Sequence, residues 1–537
     1  MWKGGSVGKD DWWRSGALRQ LIVEVAVELA VLFGVCLLIS GVVIRSSVGL
    51  AARFGIMDCP GGHKQHAAST PFVGGFGLIA VLIGAALLGD PIFSEIPFLP
   101  LAAILVGSVT IFLTGLADDI WHLSFKPRLA IQALVALSMV FLGGVELDSL
   151  GELLPGLHIT LGWLGVPLTI FATIGLINAV NMIDGVDGLS GSVSMVSLAL
   201  IALVAYAGNA GGYVIFIVAL MGGVGGFLYY NLRYPGNRRA RVFLGDNGSM
   251  LLGFLFAWLL IALSQGSHAA MTPVTALWLF ALPLMDTVGV MLRRIWLGKS
   301  PFRPDRHHLH HLFIRAGFRV CDVVLVATVM QIVLGLVGVG GLLLDVPEYL
   351  MFGLFLAVFA VYFLLILRPW RLVPGLCRLN RSLGLPSVHI RGIFVGSLRK
   401  EQWPEMLRLI AAELGTAYAY QFNVYQLGES TLDGRNVYCV VHIPAEGNDF
   451  LIGKIRRDAM RIRRRLSRQQ GLAVRLFVCR DIENELLGAE PVASRDGSRS
   501  ADRRGVRRTL IYPAEHGQKL VHGDDASFEL SVPPACR

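Results

Sequence analysis

"LINAVNMIDGVDGLSG", residues 176–191, ends an apolar run in Asn178, Asn181, Asp184 and Asp187, with glycines between the acids. Apolar sequence then resumes and continues to about residue 206. The pattern reads as one membrane span, a polar turn, and the start of the next span. Ionisable groups at membrane depth are costly, and where they occur they are usually paired or functional. The question is therefore what Asp184 and Asp187 hold.

The rest of the chain fits a lipid environment. Of its 537 residues, 54% are hydrophobic and only 16% charged, and the mean hydropathy is +0.61. A soluble globular chain carries about 25% charged residues. Apolar stretches of about 20 residues, enough to cross a ~30 Å hydrocarbon core as helix, recur eleven times: near 20–44, 73–89, 97–117, 129–146, 159–178, 189–207, 212–230, 249–265, 273–292, 322–344 and 349–367. A polar N-terminal tail, 1–19, precedes them. The expected fold is an all-α polytopic membrane protein of about eleven transmembrane helices. Seven cysteines are scattered without CxxC or CxH spacing, so neither a disulfide framework nor a zinc site is indicated.

Charge orients the chain. If loops alternate sides, one set holds sixteen lysines and arginines, including Lys64, Lys126, Arg128, Arg233, Arg241, Arg294 and Arg306. The opposite set, near 90–96, 147–158, 208–211, 266–272 and 345–348, holds none. The positive-inside rule puts the basic loops in the cytoplasm. An odd number of spans then leaves the N-terminal tail outside, against the rule for that weakly basic segment, and the C-terminus inside.

This topology gathers the polar motifs on the cytoplasmic face: "MDCPGGHKQHAASTPFVGG" (57–75), "ADDIWHLSFKPR" (117–128), "NAVNMIDGVDG" (178–188), "RVFLGDNGS" (241–249) and "SPFRPDRHHLHHLF" (300–313). Asp118, Asp119, Asp184, Asp187, Asp246 and Asp286 come from separate places and share that face. One such Asp reads as an interfacial anchor; six together suit metal-assisted phosphoryl transfer. Hard oxygen ligands favour Mg²⁺ or Mn²⁺, which keep some waters and bridge to substrate phosphates. Lys64, Lys126, Arg128, Arg306 and the histidines would neutralise a diphosphate. No GxxxxGK[ST] is present, so ATP-driven work is not supported. "DRHHLHHL" is rich enough in imidazole for zinc, but the surrounding arginines favour contact with an anion.

These five blocks, in this order, resemble the polyprenyl-phosphate N-acetylhexosamine-1-phosphate transferase family, and within it the bacterial undecaprenyl-phosphate GlcNAc-1-phosphate branch. The likeness covers 57–320 by motif and 20–367 by span pattern. It implies a multi-pass enzyme of the bacterial inner membrane with a cytoplasmic active site and Mg²⁺, Mn²⁺ being the alternative. Such an enzyme moves a sugar-1-phosphate from a UDP-sugar to a polyprenyl phosphate and releases UMP, as the first membrane step toward a cell-surface polysaccharide. By motif position, Asp118, Asp119, Asp184 and Asp187 are the expected catalytic acids, and Asp246 with Asp118 the expected metal ligands. Lys64, His66, Lys126, Arg128, Asn178, Asn181, Arg306, His308, His310 and His311 are the expected substrate contacts. At position 63 a histidine stands where the family usually has arginine. The hexosamine is set less firmly than the reaction.

After residue 368 the composition changes. Residues 388–480 alternate strand and helix patterns in the order βαββαβ, which suggests a small cytoplasmic α+β domain of ferredoxin-like form. Its second helix, 450–469, is strongly basic, and docking on the anionic leaflet is the main alternative to a merely solvated face. Residues 487–537 have the composition of a disordered tail. The expected partners are the two substrates and membrane lipid, with no nucleic acid. The oligomeric state stays open, with a homodimer among the options. A transporter is the alternative of a different class. It commonly carries repeated halves and midplane polar residues, whereas here no repeat is seen and the acids gather at one face.

Overall fold

The computed structural model describes residues 16–58, 70–88, 98–301 apart from 236, 238, 267 and 268, and 307–383 apart from 368, with five short strands between 393 and 508. Two compact units are distinguished. The first runs to Phe313 and resumes from Val320 to Leu372; the second holds Ile314–Arg319 and the chain from Val373.

The first unit is helical. Its helices are α1 (Gly16–Phe54), α2 (Gly74–Leu88), α3 (Phe98–Trp121), α4 (Phe125–Phe141), α5 (Gly165–Ile183), α6 (Leu189–Ala207), α7 (Gly211–Asn231), α8 (Gly245–Ala262), α9 (Pro273–Leu279), α10 (Ala281–Trp296), α11 (Leu309–Arg315), α12 (Val320–Leu343) and α13 (Glu348–Leu367). A further helix, α14 (Pro369–Ser382), follows the last span. Among the described residues, eight helices are long and apolar enough to cross a membrane: α1, α3, α5, α6, α7, α8, α12 and α13. The pair α9–α10, bent by 86°, makes a ninth if it is one crossing. Two of the eleven expected stretches form helices shorter than these eight. Helix α2 has 15 residues, about 22 Å of rise, against a core of about 30 Å. Helix α4 has 17 and opens on Lys126 and Arg128.

Lipid is the solvent, and the spans are sorted accordingly. The two most apolar spans, α1 and α13, with mean hydropathies of 2.6 and 2.8, are each only 17% buried. The least apolar, α8, at 1.4, is 89% buried. Polar atoms go inward, where protein can satisfy them, and apolar side chains face out. Where backbones come close, glycine makes room. A Cβ on Gly253 of α8 would lie 2.5 Å from the Ile177 backbone of α5, and one on Gly115 of α3 would lie 2.4 Å from Asp246 O. Helix α1 meets α7 at Gly222 and Gly226, and Ser40 Oγ donates to Gly223 O at 2.8 Å.

Two short ladders brace the helices. Strands β1 (Met57–Asp58) and β2 (Thr70–Pro71) pair antiparallel, and beyond them Phe72 bridges to Phe243 beside α8. Strands β3 (Ser149–Leu154) and β4 (Leu157–Thr160) form a hairpin where only a short link was expected.

In the second unit, β5 (Ile393–Val395), β6 (Gln421–Gln426), β7 (Val437–His442), β8 (Val474–Leu476) and β9 (Arg507–Arg508) form one antiparallel sheet in the order β8-β5-β7-β6-β9. The first four fall where the sequence pattern expects strands. The two expected helices, 400–414 and 450–469, lie outside the described residues. Strand β9 falls within 487–537, the stretch read as a tail.

The bend between α9 and α10 is held from a neighbouring span. Gln331 of α12 is fully buried; its Nε2 donates to Leu279 O at 2.8 Å and its Oε1 accepts from Leu282 N at 3.0 Å. One side chain thus serves two of the backbone groups at the break, one on each side. Gln331→Leu should leave both unsatisfied, at about 1–3 kcal/mol each. Thermal unfolding of the detergent-purified protein should show a midpoint clearly below wild type, and an unchanged midpoint would remove Gln331 from this role.

Candidate active site

Three helix ends converge. Helix α3 delivers Asp118 and Asp119 in its last turn, α5 stops just before Asp184, and α8 begins at Gly245–Asp246. With the turn 184–188 they enclose a cavity of about 320 Å³. Asp118, Asp119, Asp184, Asp187 and Asp246 all line it, together with Asn181, His122, Asn231 and the rings of Phe72 and Phe243.

The five carboxylates do different things. Asp119 is consumed by the fold. Its Oδ1 accepts from Asp246 N at 2.9 Å; its Oδ2 accepts from Asn247 N at 3.1 Å and Asn247 Nδ2 at 2.5 Å. It thereby serves the free amides and favourable dipole end of α8. Gly245, at φ +75°, lets the chain turn tightly into that helix, and a Cβ there would sit 2.8 Å from Asp119 Oδ2. Asp187 is also a fastener. Its Oδ2 receives Arg233 Nε and Nη2, each at 2.7 Å, and Ala240 N at 3.1 Å. Asn231 Oδ1 holds the same turn through Gly188 N at 2.6 Å.

The remaining three face the cavity's chemistry. Asp118 pairs with Arg128 Nη1, which also stands 3.7 Å from Asp246 Oδ2. Asp246 accepts from Asn181 Nδ2 at 2.6 Å, and Asn181 also donates to Ser249 Oγ at 3.0 Å. The Asp246 side chain is 35% exposed, against 6% for Asp118, so it is the more open of this linked pair to an entering group. Asp184 accepts from Ser190 Oγ. Burial pushes the Asp184 carboxyl up to about 7; Asp119 and Asp187 push the same way, and the Ser190 hydroxyl opposes them.

The donor set suits a hard divalent cation. Five carboxylates share the cavity, and at Asp184 positive charge is short of what ionisation needs. Among the described residues no three His, Cys, Asp or Glu side chains could enclose an ion by themselves. A divalent cation here would have to be completed by substrate oxygens and water.

The histidines stand behind the turn 184–188. His308 Nδ1 meets Asp286 Oδ2 at 2.9 Å, and Leu309 N donates to Asp286 Oδ1 at 2.9 Å. His308 and His310 stack with ring planes 9° apart, and the His310 and His311 centroids are 4.2 Å apart. His310 is buried against Gly185, whose Cβ, if present, would come within 2.7 Å of Nε2. Neither His310 ring nitrogen has a hydrogen-bond partner among the described residues. Burial holds its imidazole down at about 3, with His311 and His308 adding to the effect and Asp286 opposing it. His310 thus packs against the turn 184–188 and is not among the residues lining the acid cavity.

Other expected contacts are placed elsewhere. Asn178 does not line the cavity; its Nδ2 donates to Gln132 Oε1 at 3.0 Å and Ile174 O at 2.8 Å, joining α5 to α4. Lys126 is exposed on the first turn of α4 and is not among the lining residues. Lys64, His66 and Arg306 lie outside the described residues. His122, Phe72 and Asn231 were not anticipated at the cavity. Asp286 was grouped with the acids but given no role; its place in "PLMDTVGV", opposite a histidine run, was the available signal.

The profile of glycosyl transferase family 4 matches residues 101–264, which hold all five carboxylates. The undecaprenyl-phosphate alpha-N-acetylglucosaminyl 1-phosphate transferase of Haemophilus influenzae is 38% identical over 333 residues, 62% of this chain and 92% of that one. The proteins of the same description from Escherichia coli K12 and Yersinia pestis are 38% and 35% identical over 335 residues, again 62% of this chain and 90% of theirs.

The division of labour among the acids can be tested by stability alone. Asp119→Asn puts an amide donor against the α8 amides and should cost about 1.5–3 kcal/mol, the worth of hydrogen bonds to a charged group. Asp246→Asn removes one charge from a crowded set and should leave the thermal midpoint unchanged or higher. Equal midpoints for the two variants would contradict the assignment of Asp119 to the fold.

Proposed function

Because this chain belongs to glycosyl transferase family 4, we propose that it transfers GlcNAc-1-phosphate from UDP-GlcNAc to undecaprenyl phosphate, releases UMP, and supplies a cell-surface polysaccharide pathway. The observation that carries this reading is the cavity itself. Asp118 and Asp246, from different helices, are linked through Arg128 and open onto a space lined by five carboxylates. The basic loops favour a cytoplasmic orientation for it in the bacterial inner membrane.

In the transfer, an oxygen of the lipid phosphate attacks the phosphorus that bears the sugar. The bond from that phosphorus to the UMP oxygen breaks, and its electron pair leaves with UMP. Phosphate monoesters have a second pKa near 6, so the nucleophile is already largely ionised at neutral pH and needs little help from a base. The protein's task is positioning and charge balance. Asp246 and Asp118 would hold Mg²⁺, with Mn²⁺ as substitute; when bound it screens the anionic reactants and offsets charge on the departing phosphate. Arg128 adds fixed positive charge between those two acids. Asn181 orients Asp246, and Asp119 and Asp187 keep the walls in register. His308, braced by Asp286, meets the donor diphosphate.

The soluble part is proposed to be a ferredoxin-like domain outside the chemistry. The site residues end at His311 and the spans at Leu367. A chain truncated after Leu383 should keep transfer activity in detergent within about twofold, and a folded but inactive truncation would bring the domain into the active site.

The reaction is tested by UMP release from the purified protein with undecaprenyl phosphate and a panel of UDP-sugars. UDP-GlcNAc should be the preferred donor, and removal of divalent cations should stop turnover. Asp246→Asn should lose more than about a hundredfold in Mg²⁺-dependent rate, about 2.7 kcal/mol of transition-state stabilisation, while staying folded. Near wild-type rates at limiting Mg²⁺ would remove Asp246 from the ligand set.

A further inference from the structure

Asp286 is buried in α10, and three donors converge on it. His308 Nδ1 meets Oδ2; Leu309 N and the Tyr362 hydroxyl meet Oδ1, the hydroxyl at 2.5 Å. The first two donors belong to the histidine motif. Tyr362 belongs to α13, beyond every motif, and it is the one polar side chain in that span after Glu348 and Tyr349. Its ring is buried and seated against α10: a Cβ on Gly289 would come within 3.2 Å of Tyr362 Cε1.

A buried carboxylate is costly unless its oxygens are saturated by donors. The orientation of an imidazole is set by the group that its other nitrogen binds. With Oδ1 held by Tyr362 and the Leu309 amide, the carboxylate plane is fixed, and Oδ2 is turned to His308 Nδ1. That commits Nδ1 to Asp286 and fixes the direction of the His308 ring.

We propose that Tyr362 is a positioning residue for the reaction: through Asp286 it holds His308 in the orientation that meets the phosphates of the nucleotide sugar. The inference rests on the reading of the histidine loop as a donor-diphosphate contact. It makes the last span part of the site's support rather than a passive anchor.

Tyr362→Phe removes the hydroxyl and keeps the ring. In the full chain in detergent, the KM for UDP-GlcNAc should rise about tenfold, the size of one hydrogen bond to a charged group. The KM for undecaprenyl phosphate should not change. Merely structural damage would reduce the active fraction, and hence kcat, and leave both KM values alone. In a His308→Ala background the same substitution should add no further rise, because the path to the substrate is already cut. Ile366→Ala, which loosens the same α10–α13 contact without touching Asp286, should lower the thermal midpoint and leave the donor KM unchanged. Calorimetric titration with UDP alone repeats the comparison without turnover, and Tyr362→Phe should bind UDP about tenfold more weakly. A folded Tyr362→Phe protein with wild-type donor KM and UDP affinity overturns the proposal. So does an undiminished effect on top of His308→Ala, or an equal donor effect from Ile366→Ala. Wild-type protein that binds UDP but releases no UMP would overturn the proposed reaction instead, and the UDP titrations would still decide the role of Tyr362.

Discussion

A helix that begins inside protein has backbone N–H groups that water cannot reach. At the start of α8, two such amides and the Asn247 side chain converge on the Asp119 carboxylate, which arrives from the end of α3. This junction fixes where Asp246 stands, because Asp246 is the residue whose amide is being held. Gly245 is needed for the turn into the helix, and Gly115 for the approach of the two backbones. The rest of the cavity is arranged around that point. Asn181 reaches Asp246 from α5, Arg128 reaches it from α4, and the Phe72 carbonyl takes the remaining Asn247 donor at 3.1 Å.

Around the junction the electrostatics are unbalanced in a useful way. Two anionic reactants have to meet in a space already lined by five acids. Arg233 answers Asp187, and Arg128 is shared between Asp118 and Asp246. Asp184 is left with a hydroxyl for company, and burial raises its pKa. Such a cavity is poor at receiving phosphate unless a cation comes with it. That gives a physical reason for coupling metal and nucleotide-sugar entry in the proposed reaction.

Much of this was legible in the sequence, for a simple reason. Acids and asparagines at the ends of apolar runs have few places to go but one another, so motifs far apart in the chain meet at one membrane face. The assignment of roles was not legible. Asp118 and Asp119 are neighbours in sequence but about 100° apart around a helix. One therefore faces Arg128 while the other faces the first turn of α8. Asn178 lies one turn before Asn181, deep enough to meet Gln132 rather than the cavity. Hydropathy marks α2 and α4 as apolar but does not measure their length, so the sequence did not show that these two helices are shorter than the eight spans. Tyr362 gave no signal, since a lone hydroxyl in "VFAVYFLLIL" takes its meaning only from what α10 places opposite it.

Helix α8 is the least apolar of the eight spans and the most enclosed. During synthesis, that combination makes it a weak candidate for stable residence in lipid by itself. Its first five residues include Asp246, Asn247 and Ser249, and the translocation machinery scores such residues against insertion. The helices that line its socket, α3 and α5, leave the ribosome earlier. Biogenesis is thus ordered by the chain: the socket is laid down in the bilayer first, and the helix that needs it arrives afterwards.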